Sequence, residues 1–469
     1  MVGMVCLGAS FLGCAPEVDL GARAGGGSLG SPRSAGAGDS SRGDLTWSER
    51  FGGPGNQHAN GLAVNAAGQV LLTGYFYDGL DLDQGQLTSN GNVDAFVAEL
   101  DASGALVWKK SFAGTQTVMG HDVVTDGEGN VFVAGYLYGA TDFGGGLLAA
   151  GGSVDVFLVK LDAQGNHVWS KRFGGGDGEH VVSSMAVDGA GNVVIAGIFS
   201  GSIDFGGEPL ESAGADDAFV ASFDEEGNPR WSARFGDGDE QGAQGVAVDL
   251  EGNVFVTGMM RGIADFGGGP LASAGDGDVF LAKLDSAGHH LWSRRFGDSH
   301  DQSGARLAID ANGGVIVVGS FAGGIDFGGG LLESAGDLDA FVAAFDEAGH
   351  PRWSRGFGEG GAQSATGVAV GEGGEVVVAG SFYEGIDFGG GLLASEGQGD
   401  LFLAALDGAG RHLWSKRLGD AADQAGASVA TGPGGAVLFT GGFEGSVDCG
   451  GGPLVSAGGE DIVVARFAP

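Results

Sequence analysis

The sequence predicts an all-β protein, a seven-bladed β-propeller of four-stranded antiparallel blades whose ring is closed by the N-terminal strand pairing with the C-terminal blade. Three observations predict it. The seven tryptophans, Trp47, Trp108, Trp169, Trp231, Trp292, Trp353 and Trp414, follow one another at intervals of 61, 61, 62, 61, 61 and 61 residues, so each marks the same place in a repeated unit. Every unit holds four short runs of strand-forming residues bounded by Gly, Asn and Asp, as a propeller blade requires. The two ends of the array are complementary. Leu45 to Phe51 is a Trp strand with nothing before it, and Asp461 to Phe467 lacks the Trp strand that follows its counterparts. Pairing these remnants removes the strand edges that an open array would expose as aggregation templates.

Residues 1–14 are apolar, too short to span a bilayer as a helix, and end in small residues before Cys14. The run Phe11-Leu12-Gly13-Cys14 resembles a bacterial lipobox, although Phe11 and Leu12 depart from its usual residues. That resemblance implies lipidation at Cys14 and a place in the cell envelope, as an outer-membrane lipoprotein or a secreted protein. Residues 15–44 are rich in Ala, Gly, Ser and Pro, the composition of a flexible tether spanning roughly 30 Å. Residues 45–469 form the array.

One unit illustrates the rest. WSRRF (292–296) alternates large apolar and polar residues; RLAID (306–310) follows, then a turn at 311–313 and VIVVGSF (315–321). A glycine-rich link leads to DAFVAAFD (339–346), and a turn at 347–350 returns the chain to the next Trp. Phe341, Val342 and Ala343 make a strand apolar on both faces, which stacked sheets must cover on both sides. Trp292 and Phe296 alternate on their strand and are expected to fill the gap between blades.

The repeats resemble the bacterial seven-bladed β-propeller repeats and are loosely similar to NHL-type propellers. The motifs carrying this are Gly-Val-Ala-Val-Asp at 245–249, Gly-Asn-Val at 252–254 and Asp-Ala-Phe-Val-Ala at 339–343. The resemblance implies that RLAID is the innermost strand a, VIVVGSF strand b, DAFVAAFD strand c and the Trp strand the outer d. It also implies that the d–a loops and b–c links open on one face around a central channel.

Composition limits the function. With 100 glycines clustered at turns and 43% hydrophobic residues, the chain is neither collagenous nor a charged disordered polymer. A formal net charge of -38 repels phosphate backbones, so no nucleic-acid partner is expected. Three cysteines make no disulfide framework. Cys449 occupies the place of Phe143, Phe205, Phe266, Phe327 and Phe388, which reads as a small buried side chain.

Several polar positions recur. Asp81, Asp142, Asp204, Asp265, Asp326, Asp387 and Asp448 follow strand b; Asp94, Asp155, Asp217, Asp278, Asp339, Asp400 and Asp461 precede strand c. Both sets flank the glycine-rich link and read either as a Ca²⁺ site in each blade, built of the carboxylate oxygens a hard cation requires, or as turn-capping aspartates. Ten residues after the Trp stand Gln57, Gln241, Gln302, Gln363 and Gln424, with Glu179 and Val118 in the remaining units. This ring reads as a ligand-binding face for a carbohydrate or peptide, or as glutamines bonding neighbouring loop backbones. His58, His121, His180 and His300 fall in the same d–a loops at irregular offsets, which give no reason for a zinc site.

No nucleophile elbow, His-Glu-x-x-His helix or phosphate loop is present. The expected function is therefore a noncatalytic, envelope-anchored propeller, a monomer, that binds or scaffolds a protein or glycan and touches the membrane only through its lipid. Two alternatives are a Ca²⁺-stabilised structural surface module and a Ca²⁺-dependent hydrolase or lactonase at the central channel. The enzyme would need blade-specific residues there, and Glu179, His121 and Met119 are the ones that depart from the repeat.

Overall fold

The computed structural model describes residues 42–83, 85–90 and 93–469. The expectations on Cys14 and on the linker up to residue 41 lie outside the described residues. Seven four-stranded antiparallel sheets make up the array, each in the spatial order a-b-c-d. In the fifth blade, for example, strand a is Gln302–Ile309, b Val315–Phe321, c Asp339–Phe345 and d Pro351–Phe357. The inner strands of successive blades contact one another in turn, and strand a of blade I (Gln57–Val64) also contacts strand a of blade VII (Gln424–Thr431). That last contact makes a ring.

The ring closes as the chain ends predict. Leu45–Phe51 pairs antiparallel with Asp461–Phe467, Trp47 opposite Arg466 and Phe51 opposite Ile462, and supplies the outer strand of blade VII. Trp47, Phe51, Ile462 and Val464 of that blade pack with Leu72, Phe76, Phe96 and Leu100 of blade I in one buried cluster. The core thus lies between blades, as strands apolar on both faces demand; in six blades every residue of strand c is buried.

Two features differ from the sequence reading. Strand a begins at Gln302 rather than Arg306, because a register shift between Gly304 and Arg306 lets its polar first half continue the ladder. The b–c link is not a plain loop but carries its own two-stranded hairpin, Gly324–Asp326 with Leu331–Glu333 in blade V.

The tryptophans tie each blade to the next. Trp292 Nε1 donates to the Glu347 carbonyl in the c–d turn of the following blade at 3.1 Å, and Trp47, Trp169, Trp231 and Trp353 make the same bond to Ala102, Glu225, Ser286 and Gly408. Cys449 is buried among the apolar residues between blades VI and VII, and that burial pushes its thiol up to about 12.

Candidate functional site

All d–a loops and b–c links lie at one end of the strands, where every strand a begins, and the a–b and c–d turns lie at the other. The recurring glutamines sit at the first end but are not exposed. Gln57, Gln241, Gln302, Gln363 and Gln424 are the first residues of their strands a and are at most 2% exposed. Gln302 Oε1 accepts the Asp298 N–H at 3.2 Å, while its Nε2 donates to the Ala322 carbonyl at 3.0 Å and to Asp298 Oδ1 at 2.9 Å. Its backbone N–H bonds the Gly277 carbonyl of the preceding blade. Gln57, Gln241, Gln302 and Gln424 each bond both a d–a loop and a b–c link, and Gln363 Nε2 donates to the Tyr383 and Gly385 carbonyls of its link, so the expected exposed glutamine face gives way to an internal ring of fasteners.

Glu179 belongs to that ring only by counting. The d–a loop from Phe173 carries one more residue than its counterparts, and the strand therefore starts at His180. His180 is fully buried and replaces the glutamine, its Nδ1 within 2.7 Å of the Val154 carbonyl and its Nε2 3.0 Å from that of Ser202. Glu179 is half-exposed at the rim. His58 and His121 likewise stand on strands a rather than in loops.

The two aspartate sets separate. The first caps the exposed turn of the link hairpin: Asp142 Oδ1 accepts the N–H groups of Gly144 and Gly146 at 2.8 and 2.9 Å. Asp265, Asp326, Asp387 and Asp448 do the same for their glycines, Asp204 bonds Gly206, and Asp81 bonds the Asp83 N–H. The second set, Asp94, Asp155, Asp217, Asp278, Asp339, Asp400 and Asp461, is buried, and each accepts the N–H four residues before it. Five of these also pair with an arginine of strand d: Arg50, Arg172, Arg234, Arg295 and Arg417. In the blades of Asp94 and Asp339, Ser111 and Gly356 stand at the strand d position that carries the arginine elsewhere, and burial raises the pKa of both aspartates against the pull of backbone N–H groups. Among the described residues no three His, Cys, Asp or Glu side chains gather into a metal-holding group. The first set is thus engaged by the backbone of its own turn, and the second by backbone N–H groups and, in five blades, an arginine.

What the glutamine end does expose is unequal from blade to blade. All five tyrosines of the chain, Tyr75, Tyr77, Tyr136, Tyr138 and Tyr383, stand at the ends of strands b or just beyond them on this rim. Four of them form a cluster on blades I and II. The His58 ring stacks on Tyr75 at 5.6 Å, Tyr75 meets Tyr77 edge-on at 6.3 Å, and Tyr136 meets Tyr138 edge-on at 6.5 Å. Tyr136 Oη lies 3.0 Å from Met119 Sδ. Burial, with Tyr138 and Tyr77 beside it, pushes the Tyr136 hydroxyl up to about 12, so it stays a neutral donor. Blades III to VII carry Ile198, Met259, Ser320, Ser381 and Gly442 where I and II carry Tyr75 and Tyr136.

The rim continues as carboxylates. Glu179 lies within electrostatic range of Tyr138 and of Asp216, and Asp216 within range of Glu240. Burial and then this mutual repulsion raise the pKa of Glu179 and of Asp216. Arg261 answers the far end, 2.9 Å from Glu240 and 3.6 Å from Asp301. Inside the channel, Asp122 and Arg306 occupy equivalent positions on strands a of blades II and V, and Asp122 accepts the N–H groups of Val123 and Met185. Burial, Arg306 and His58 together depress His121 to about 3, so its imidazole is neutral near pH 7. Of the three residues that depart from the repeat, Met119 and Glu179 are thus at the rim and His121 is deeper in the channel. At the opposite mouth the a–b turns of blades I, V, VI and VII, with Val64, Ile309, Glu372 and Pro433, enclose a recess of about 350 Å³.

No protein-family profile matches the chain. It is 30% identical over 232 residues to the regulatory protein FlaEY of Caulobacter vibrioides, covering 47% of this chain and 24% of that protein. It is 21% identical over 300 residues to an uncharacterised WD repeat-containing protein of Acanthamoeba polyphaga mimivirus, covering 55% of this chain and 21% of the other. The chain thus spans under a quarter of the length of these curated relatives. Among solved structures, Sqt1 from Chaetomium thermophilum aligns at a TM-score of 0.40 and 11% identity over 89% of this chain and 85% of its own. A europium-containing methanol dehydrogenase aligns at 0.37 and 12% over 91% of this chain and 93% of its own. The seven blades rest on the strand pairing itself.

Proposed function

We propose that this propeller is a noncatalytic binding or scaffolding module whose docking face is the rim at the start of strands a. One observation carries the reading. Positions that hold the ring together repeat from blade to blade, whereas the half-exposed His58, Tyr75, Tyr77, Tyr136, Tyr138 and Glu179 break the repeat and fall side by side. Residues that packing does not dictate, collected on one rim, are what a recognition surface needs, and tyrosine supplies large, rigid contact area. A regulatory protein and a WD repeat-containing protein among the relatives agree with a binding role.

A glycan array and a partner pull-down with residues 42–469 test this. The reading expects a ligand whose capture is lost with Tyr138→Ala; capture indifferent to every rim substitution contradicts it. Turnover of any substrate in a hydrolase screen, abolished by Glu179→Gln, would contradict the noncatalytic part. We also propose that the module is tethered to the cell envelope through Cys14, a reading supported by the Phe11-Leu12-Gly13-Cys14 run and the residues 15–44 that follow. Fatty-acid labelling of the chain in a bacterial host, absent from Cys14→Ser, is the expected result; no label on the parent chain contradicts it.

A further inference from the structure

Building on the rim as the docking face, we propose that its sector from blade I to blade IV takes a cationic peptide segment of a partner protein, with arginine side chains lying on the tyrosines and reaching Glu179 and Asp216. Three observations meet there. The first is an aromatic platform: Tyr75 and Tyr77 meet edge-on on blade I, Tyr136 and Tyr138 meet edge-on on blade II, and Tyr77 is in electrostatic range of Tyr136. A guanidinium over such ring faces gains a cation–π contact, worth more as water is excluded.

The second is a row of like charge beginning where the platform ends. Tyr138 and Glu179 lie within electrostatic range of each other, as do Glu179 and Asp216, and Asp216 and Glu240. Arg261 meets this row at its far end, at Glu240 and Asp301. Half-buried carboxylates of like sign repel one another, and a bound cation converts that repulsion into attraction. Elsewhere the recurring acidic groups already accept hydrogen bonds: the link aspartates from backbone N–H groups, and the buried set through Oδ2 from backbone N–H groups and, in five blades, arginines. The third is the net charge of -38, which draws cationic chains and repels anionic ones over long range. Arginine fits both halves of the sector, since its planar fork stacks on rings and pairs bidentately with carboxylates.

Because the whole surface is acidic, the test must separate this sector from diffuse attraction. The full chain is titrated, by fluorescence anisotropy, with labelled peptides of alternating glycine and arginine, glycine and lysine, or glycine and glutamate. Thermal melts confirm that each variant folds, and Tyr138→Phe retains the ring. The arginine peptide is expected to bind best and the glutamate peptide not at all. Tyr138→Ala, and separately the double variant Glu179→Gln/Asp216→Asn, are each expected to weaken binding by about tenfold or more, as hot-spot truncations do. Tyr138→Phe should stay near the parent affinity. The double variant Glu128→Gln/Glu226→Gln removes the same charge from exposed turns at the opposite end. It should change affinity by less than about twofold, as rim charges far from a contact do. Equal losses for the two double variants, or no loss with Tyr138→Ala, overturn the proposal. If a neutral oligosaccharide binds in a Tyr138-dependent way while the arginine peptide does not bind, the cationic partner is wrong and the docking face stands. If neither responds to Tyr138→Ala, both fall.

Discussion

Gly43 lies directly beneath the indole of Trp414: with φ at 73°, a side chain built on it would come within 2.8 Å of Trp414 Cδ2. The pairing is one of seven. Gly104 sits under Trp47, Gly165 under Trp108, Gly227 under Trp169, Gly288 under Trp231, Gly349 under Trp292 and Gly410 under Trp353. In each case the glycine belongs to a c–d turn and the Trp to the preceding blade. Gly43 is the turn glycine of blade VII, supplied from the other end of the chain, so the same contact recurs at every interface without a gap. The turn needs a left-handed residue, and the indole needs a residue without a side chain.

Gly288→Val should therefore be costly. A branched residue at φ 83° is strained, and its methyl groups would meet the Trp231 ring. We expect a loss of about 2–4 kcal/mol in chemical denaturation, from the left-handed conformation and from overpacking together. The nearby exposed substitution Ser286→Ala, which keeps the carbonyl accepting Trp231 Nε1, should change stability by about 0.5 kcal/mol or less.

The glutamine staples carry a second prediction. Gln302→Ala removes the partner of the Asp298 N–H and the Ala322 carbonyl. A loss of about 2–4 kcal/mol is expected, combining orphaned polar groups with a small cavity. Gly297 packs so closely here that a Cβ would lie 2.2 Å from both Asp278 Oδ1 and Gln302 Oε1. Gly297→Ala should destabilise too, and less so in a Gln302→Ala background, which a double-mutant cycle measures.

His58 gives a pH dependence. Burial lowers its pKa, but the charge of Glu460 and the 2.9 Å hydrogen bond to it raise it further, for a net increase. A folded-state pKa above the unfolded value means that the pair's stabilisation is fully present below about pH 6.5 and is lost as pH rises through the folded value. His58→Gln should lower stability by about 0.5–1 kcal/mol at pH 5.5, and the deficit should shrink toward pH 9. Melting curves of both proteins across that range check it.

Chelation provides a fourth. Both recurrent aspartate sets already accept backbone N–H groups, and five buried members also hold an arginine. Excess EDTA should leave the melting temperature unchanged, and added Ca²⁺ should not raise it.

The ring was legible because packing imposes it in every unit. An indole that covers the turn glycine of the next blade, and in five blades also bonds a carbonyl of that turn, recurs with the blade, so the Trp spacing counts the blades and the unmatched ends announce the closure. The polar ring was legible as positions but not as roles. A glutamine just after a glycine-rich loop reads as exposed, and only the register shift past Gly304 draws strand a out far enough to bury Gln302. Glu179 was misplaced because a fixed offset from Trp169 ignores the extra loop residue before His180. The tyrosines were not legible for the opposite reason. A repeat marks only what packing imposes on every blade, and the rim is made of the places where blades differ.

The claim on which the rim depends is closure by Leu45–Phe51, since an open array would have no common face. It is tested by comparing thermal and denaturant unfolding of a chain beginning at Arg42 with one beginning at Gly53. The shorter chain loses a strand's ladder bonds to Asp461–Phe467 and the buried Trp47 and Phe51. It should be less stable by about 3 kcal/mol or more. Equal stability of the two chains would contradict the ring.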